Sequence, residues 1–157
     1  MARPAAVIRL PRESFRAPFA CMGGQVARVA LELEQHAGPL EWWATDVEAN
    51  LGDPPGGLGA VGVDLCGPTS RFVPWAEEVT QFHRGTFLAT APGAGPSALP
   101  AILGGLDDEW ADLGACRFKL RAYDTAFLLL SCAEAAPAAA LVEERGAIPC
   151  APPERLG

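Results

Sequence analysis

The sequence predicts an α+β fold, an antiparallel sheet of four to five strands with two to three helices packed mainly on one face. Three observations lead there. Strand-like segments with period-two alternation or continuous apolar character fall at 40–49, 86–90 and 115–132. Amphipathic segments of helical period flank them at 25–36, 70–83 and 134–145. Strands and helices lack the regular alternation that a parallel sheet requires. The 157 residues are read as one globular domain, 1–157, with an irregular N-terminal segment at 1–19 and an extended tail at 150–157. At this length folding buries roughly 68–70% of the unfolded surface, so no disulfide or metal staple is needed. A composition that is 50% apolar and 20% charged argues for a packed core.

In chain order, Pro4, Pro11 and Pro18 limit the first segment to at most a short edge strand. Val26, Val29, Ala30 and Leu33 then repeat at helical spacing, and Gly38-Pro39 stops the helix. A competing alternation of Val29, Leu31 and Leu33 would suit a strand. From Leu40 to Ala49 alternation sets Glu41, Trp43, Thr45 and Val47 against Leu40, Trp42, Ala44, Asp46 and Glu48. Gly and Pro crowd 51–60, which reads as a loop inserted in the domain, and a short strand follows at 60–65. The next helix, from Ser70 to His83, takes Ser70 as its cap, keeps Pro74 in its first turn and lines up Phe72, Trp75, Ala76, Val79 and Phe82. Thr86–Thr90 is a strand, and a Pro/Gly-rich loop follows it. Ile102 to Trp110 reads as a short helical turn carrying Asp107, Asp108 and Glu109.

The clearest sheet signal comes next. Phe118, Leu120 and Ala122 alternate with Arg117, Lys119, Arg121 and Tyr123, which gives one core face and one basic or amphipathic face. Asp124-Thr125 is the turn, and the apolar run 126–132 returns as a central strand covered on both sides. A last helix spans about 134–145, with Pro137 near its start and Gly146 just past its end.

Twelve basic against nineteen acidic side chains give a net charge of −7. Nucleic acid is therefore not expected as a partner, since affinity for phosphates rests on clustered Lys and Arg. A basic protein surface is the partner such a charge suits. No run reaches the 18 or so apolar residues that span a bilayer, and no secretory leader pattern follows Met1, so no membrane and a cytoplasmic location are expected. The five cysteines are never closer than sixteen positions, which excludes a CxxC knuckle; their commoner reading is small buried hydrophobes in a reducing compartment and their sharper one a catalytic thiol.

Catalytic spacing is sparse. His36 and His83 stand near predicted helix ends with no carboxylate at ligand spacing, so no metal is expected. No glycine motif cradles a phosphate, no serine sits in an elbow, and no cofactor is implied. Asp46 and Glu48, two apart on a strand, form a carboxylate pair whose commoner reading is a solvated face and whose sharper one is a catalytic dyad. Trp42 and Trp43 must point to opposite faces, so one is exposed unless both faces are covered. An exposed tryptophan amid Glu41, Asp46 and Glu48 would have the anatomy of a binding hot spot.

The segments Trp42-Trp43-Ala44-Thr45-Asp46-Val47-Glu48-Ala49, Gln81-Phe82-His83-Arg84-Gly85-Thr86-Phe87-Leu88-Ala89 and Arg121-Ala122-Tyr123-Asp124-Thr125 together resemble small uncharacterised bacterial proteins of the polymorphic-toxin immunity type, over about residues 25–132. The uniformly apolar Phe127-Leu128-Leu129-Leu130 departs from the aromatic and acidic alternation of that group. The resemblance implies a cytoplasmic inhibitor that neutralises a toxin by binding. The leading expectation is thus a non-enzymatic acidic binding protein, monomer or homodimer, using Glu41, Trp42, Trp43, Asp46 and Glu48. The alternative is a small enzyme or small-molecule binder with a pocket between the sheet and the helices, lined by His83, Arg121, Tyr123 and Asp124 and joined by the carboxylates Asp46 and Glu48.

Overall fold

The computed structural model describes residues 3–49, 63–99 and 108–153. The loop expected at 51–60 and most of the helical turn expected at 102–110 lie outside them. Among the described residues seven strands form one antiparallel sheet in the order β3-β2-β4-β5-β6-β1-β7, with β1 Ala6–Pro11, β2 Glu41–Ala49, β3 Asp64–Pro68, β4 Phe82–Thr90, β5 Phe118–Tyr123, β6 Phe127–Cys132 and β7 Ile148–Pro149. The helices α1 Gly23–Ala37, α2 Thr69–Glu78 and α3 Ala135–Arg145 contribute to the core on one face. The α+β class stands, and the strand count rises from the expected four to five to seven.

Two of the additional strands are β1 and β7. The N-terminal segment expected to be irregular holds a six-residue strand paired with β6 on one side and β7 on the other. Pro4 precedes it and Pro11 ends it, so neither interrupts the ladder, and Val7, Ile8 and Leu10 are buried. The two-residue β7 is too short to leave a periodic signal.

The first helix holds against its competing strand reading, because Val26, Val29, Ala30 and Leu33 are all fully buried on one face. The second helix is shorter than expected at its C-terminal end. It starts at Thr69 after Pro68, has no side-chain cap at Ser70, and carries Pro74 in its interior. It stops at Glu78, and residues 82–85 belong to β4 instead. Val79 and Phe82 are buried in either conformation, so a helical apolar period ran on past the real helix end.

The core faces of the strands follow the pleat. Ile8, Leu10, Trp42, Ala44, Phe87, Ala89, Phe118, Leu120, Ala122, Leu128 and Leu130 pack with the helices. Trp42 stacks on Phe72 of α2 at 4.7 Å, and its indole N–H donates to Thr69 Oγ1 at 2.9 Å. Between α1 and α3, Arg145 makes a fork of hydrogen bonds to the Glu32 carboxylate, with both side chains largely buried.

The second face of the sheet is covered too, by segment 108–116. Leu113 and Cys116 pack on Trp43 and Leu88 there. Lys119 Nζ donates to the Asp108 carbonyl at 2.8 Å and Ser131 Oγ to the Glu109 carbonyl at 2.7 Å. The basic face expected on β5 is therefore not a solvated one at Lys119, which is 2% exposed. Among the described residues no helix is long and apolar enough to cross a membrane.

Candidate functional site

The site lies at the end of the second face where segment 108–116 does not reach, and two irregularities in the sheet build it. Thr45 pairs with Thr86 and Glu48 with Arg84, so β2 spends one residue more than β4 over that step. The surplus falls at Asp46, whose φ of 53° is left-handed. Ala49 then pairs with Phe82, which leaves an extra residue in β4 at His83. A bulge re-aims side chains, and here it reverses the parity of β2. Val47 and Ala49 turn to the helix-side core, and Asp46 and Glu48 turn to the second face. The faces that strict alternation assigns to 46–48 are thus inverted.

On that face Arg84 Nε lies 3.4 Å from Asp46 and 3.3 Å from Glu48, all three side chains more than half exposed. The two carboxylates share one guanidinium on an exposed surface, which fits the solvated-face reading of the pair. Arg84 pairs across the ladder with Tyr123, and Tyr123 with Phe127. The Tyr123 and Phe127 rings stack at 5.2 Å and 10°. The Arg121 guanidinium sits 4.8 Å from the Tyr123 centroid and that of Arg9 5.3 Å from Phe127. Tyr123 remains 41% exposed.

The hairpin turn completes the rim. Asp124 and Thr125 both have positive φ, 49° and 58°, and Ala126 N–H donates to the Tyr123 carbonyl at 2.8 Å, as in a type I′ turn. Asparagine, aspartate and glycine tolerate this region, but a β-branched threonine is strained there. Beneath the turn Cys21, itself at φ 58°, donates its thiol to the Phe127 carbonyl at 3.2 Å. Of the five non-glycine residues at positive φ among the described residues, Asp46, Asp124 and Thr125 line this end of the sheet and Cys21 supports it. Such residues gather where a binding surface is held against local preference.

Glu48, His83, Arg84, Arg121, Ala122, Tyr123 and Asp124 enclose an open cleft of about 360 Å³. The four residues of the expected pocket, His83, Arg121, Tyr123 and Asp124, are therefore brought together, but on the face of the sheet away from the helices and not between sheet and helices, because Arg121 and Tyr123 alternate with the helix-facing Leu120 and Ala122. The expected aromatic–acidic strand is not. Trp42 is 0% and Trp43 5% exposed, because helices cover one face and segment 108–116 the other, so neither is an exposed anchor. Trp43 donates its indole N–H to Thr90 Oγ1 at 3.2 Å. Glu41 pairs with Thr90 at the far end of β2, seven residues or about 23 Å of strand from Glu48. Of that group only Asp46 and Glu48 reach the site.

Arg84, Phe127, Glu109 and Arg9 join the site without having been expected there from the sequence. The turn at Asp124-Thr125 was the usable signal for Phe127, because the hairpin register sets it opposite Tyr123. His83 is exposed on β4 rather than at a helix end.

No cysteine side chain lines this cleft. Burial pushes Cys21 up to about 11 and Cys66, Cys116 and Cys132 each up to about 12. Among the described residues no group of three or more His, Cys, Asp or Glu side chains is placed to hold a metal ion. The cleft offers donors on Arg84 and Arg121 and acceptors on Glu48 and Asp124 around one aromatic ring, a set suited to recognition. No family model, curated protein or solved structure matches the chain.

Proposed function

We propose that the protein is a non-enzymatic binding protein of the immunity or inhibitor type, and that Tyr123, rimmed by Asp46, Glu48 and Asp124, is its contact with a basic partner protein. The observation that carries this reading is an exposed tyrosine already stacked on Phe127, in a cleft with Glu48 and Asp124. Aromatic anchors with a polar rim are the usual centres of binding energy, and an anchor ordered beforehand loses less entropy on association. The net charge of −7 favours encounter with a basic surface.

The test is retention of a partner from native-cell extract by the tagged chain, at low and then high salt, for wild type, Tyr123→Ala and the pair Glu48→Lys with Asp124→Lys. A basic partner held at low salt, weakened at high salt and lost from both variants is the expected result. Unchanged retention by the variants removes this surface from consideration. A second reading has its own support, since His83, Arg121, Tyr123 and Asp124 do share one cleft of small-ligand volume. Absence of any protein partner, with a small molecule shifting the Tyr123 signals, would favour it.

A further inference from the structure

We infer that Glu109 is a positioning residue for Tyr123, acting through Arg121; its functional meaning rests on the binding reading above, its structural content does not. Glu109 belongs to no strand of the sheet, yet its backbone is held from two directions. Its carbonyl accepts from Ser131 Oγ on β6 at 2.7 Å, and the carbonyl before it accepts from Lys119 Nζ on β5 at 2.8 Å. The carboxylate so placed is largely buried. Its Oε1 accepts from Arg121 at 2.6 Å and its Oε2 lies 3.9 Å from Lys119 Nζ.

An arginine side chain on a sheet surface has many rotamers, and an ion pair in a partly desolvated setting selects one. The rotamer selected here lays the guanidinium over Tyr123. The order Arg121, Tyr123, Phe127, Arg9 then runs as one stack across β5, β6 and β1, and Glu109 clamps its Arg121 end. Because Glu109 rides on segment 108–116, whose Leu113 and Cys116 pack on Trp43 and Leu88, the seating of that segment and the posture of the exposed tyrosine form one arrangement. Any partner that fixes Tyr123 would by reciprocity favour the seated segment.

The chain contains one tyrosine, so ring-labelled tyrosine gives an unambiguous magnetic-resonance signal. In Glu109→Gln the cross-peaks between the Tyr123 ring and the Arg121 δ protons are expected to be lost. The ring-current shift of those protons should collapse, while the α1 amide signals keep their positions. Wild-type cross-peak intensity in the folded variant would overturn the proposal. Should Glu109→Gln fail to fold, Glu109→Asp decides: it keeps the charge but is one methylene shorter, so the same cross-peaks must weaken, and their persistence at full intensity is equally fatal. No partner enters these samples, so the result stands apart from the binding reading. Conversely, a Glu109→Gln protein that loses the cross-peaks yet binds its partner undiminished would leave the positioning role intact and sink Tyr123 as the contact.

Discussion

The two faces of the sheet are covered by different means, and Trp42 and Trp43 show it within one dipeptide. Each indole is buried and each donates to a threonine hydroxyl, Thr69 for Trp42 and Thr90 for Trp43. Trp42 lies under α2 in a cluster with Phe72, Trp75, Phe82 and Phe87, whose rings meet at 4.7 to 6.1 Å. Trp43 lies under a segment without regular structure, in a cluster of four buried residues. The face closed by the helices is largely apolar. A face closed by a segment tied down through Lys119, Arg121 and Ser131 needs polar groups on the sheet, and among the described residues one end of it stays open. The open end is where the candidate site lies.

The largest expected effect sharpens this contrast. Trp42→Ala should cost about 4 kcal/mol and Trp43→Ala about 3 kcal/mol by denaturant titration, because a helix-bound aromatic cavity collapses less easily than one under an irregular segment. Both changes also strand a buried threonine hydroxyl. Hydrogen exchange separates them further. Trp43→Ala should loosen 108–116 and leave α1 protected, whereas Trp42→Ala should lower protection in α2 and β2 together. Equal costs and equal exchange patterns would mean that the two faces are one cooperative core.

Alkaline pH tests both faces at once. Cys132 belongs to the helix-side core and Cys116 to the second cluster, and burial raises each thiol to about 12 from an ordinary 9. The folded chain therefore holds protons that the unfolded chain releases above pH 9. Stability is full below that pH and falls as pH rises toward 12, by on the order of 1 kcal/mol per pH unit for each such thiol. Denaturation midpoints between pH 8 and 11 should decline along that course, and a flat profile would contradict the burial of these thiols.

The strained turn predicts a gain. Thr125 sits at φ 58° in a type I′ turn, where Asp-Gly is the preferred pair. Thr125→Gly should stabilise the chain by about 1 kcal/mol through relief of that strain, less a little for the extra freedom of the unfolded glycine. If partner retention falls in the same variant, the strain serves the site, a trade known where activity needs an uncomfortable backbone. If retention is unchanged, the threonine is incidental.

What the sequence disclosed divides along the same line. The helix face was legible, since apolar period and pleat act locally and Val26, Val29, Leu33, Phe118, Leu120 and Leu128 carry them without exception. The β5–β6 hairpin was legible for the same reason, with Asp124-Thr125 as the turn. The second face was legible only in β6, whose apolar run reads as covered on both sides. Alternating Lys119 and Arg121 look like a solvent face until Glu109 and the carbonyl of Asp108 arrive from another segment to satisfy them, and that pairing has no local trace. The bulges at Asp46 and His83 were hidden because parity is read by assuming it never slips. Asp46 did carry a faint mark, being one of the few residue types at ease with positive φ. Between them, the covered face and the slipped parity account for the misplaced tryptophan anchor and for the inverted faces of Asp46 and Glu48.

The smallest expected effect is the one that most directly separates binding from folding. Glu48→Gln removes one of two carboxylates on Arg84, and all three side chains are more than half exposed. Solvent screens such pairs, and Asp46 remains beside the guanidinium, so the stability change should stay within about 0.5 kcal/mol. Retention of a basic partner should nonetheless drop, because the acidic rim loses a charge at the point of contact. A loss well beyond 1 kcal/mol would instead make the Asp46–Arg84–Glu48 group part of what closes the sheet end. In that case the cleft would owe its shape to the same ion pairs that hold the bulges, and charge reversals there could no longer be read as tests of binding alone.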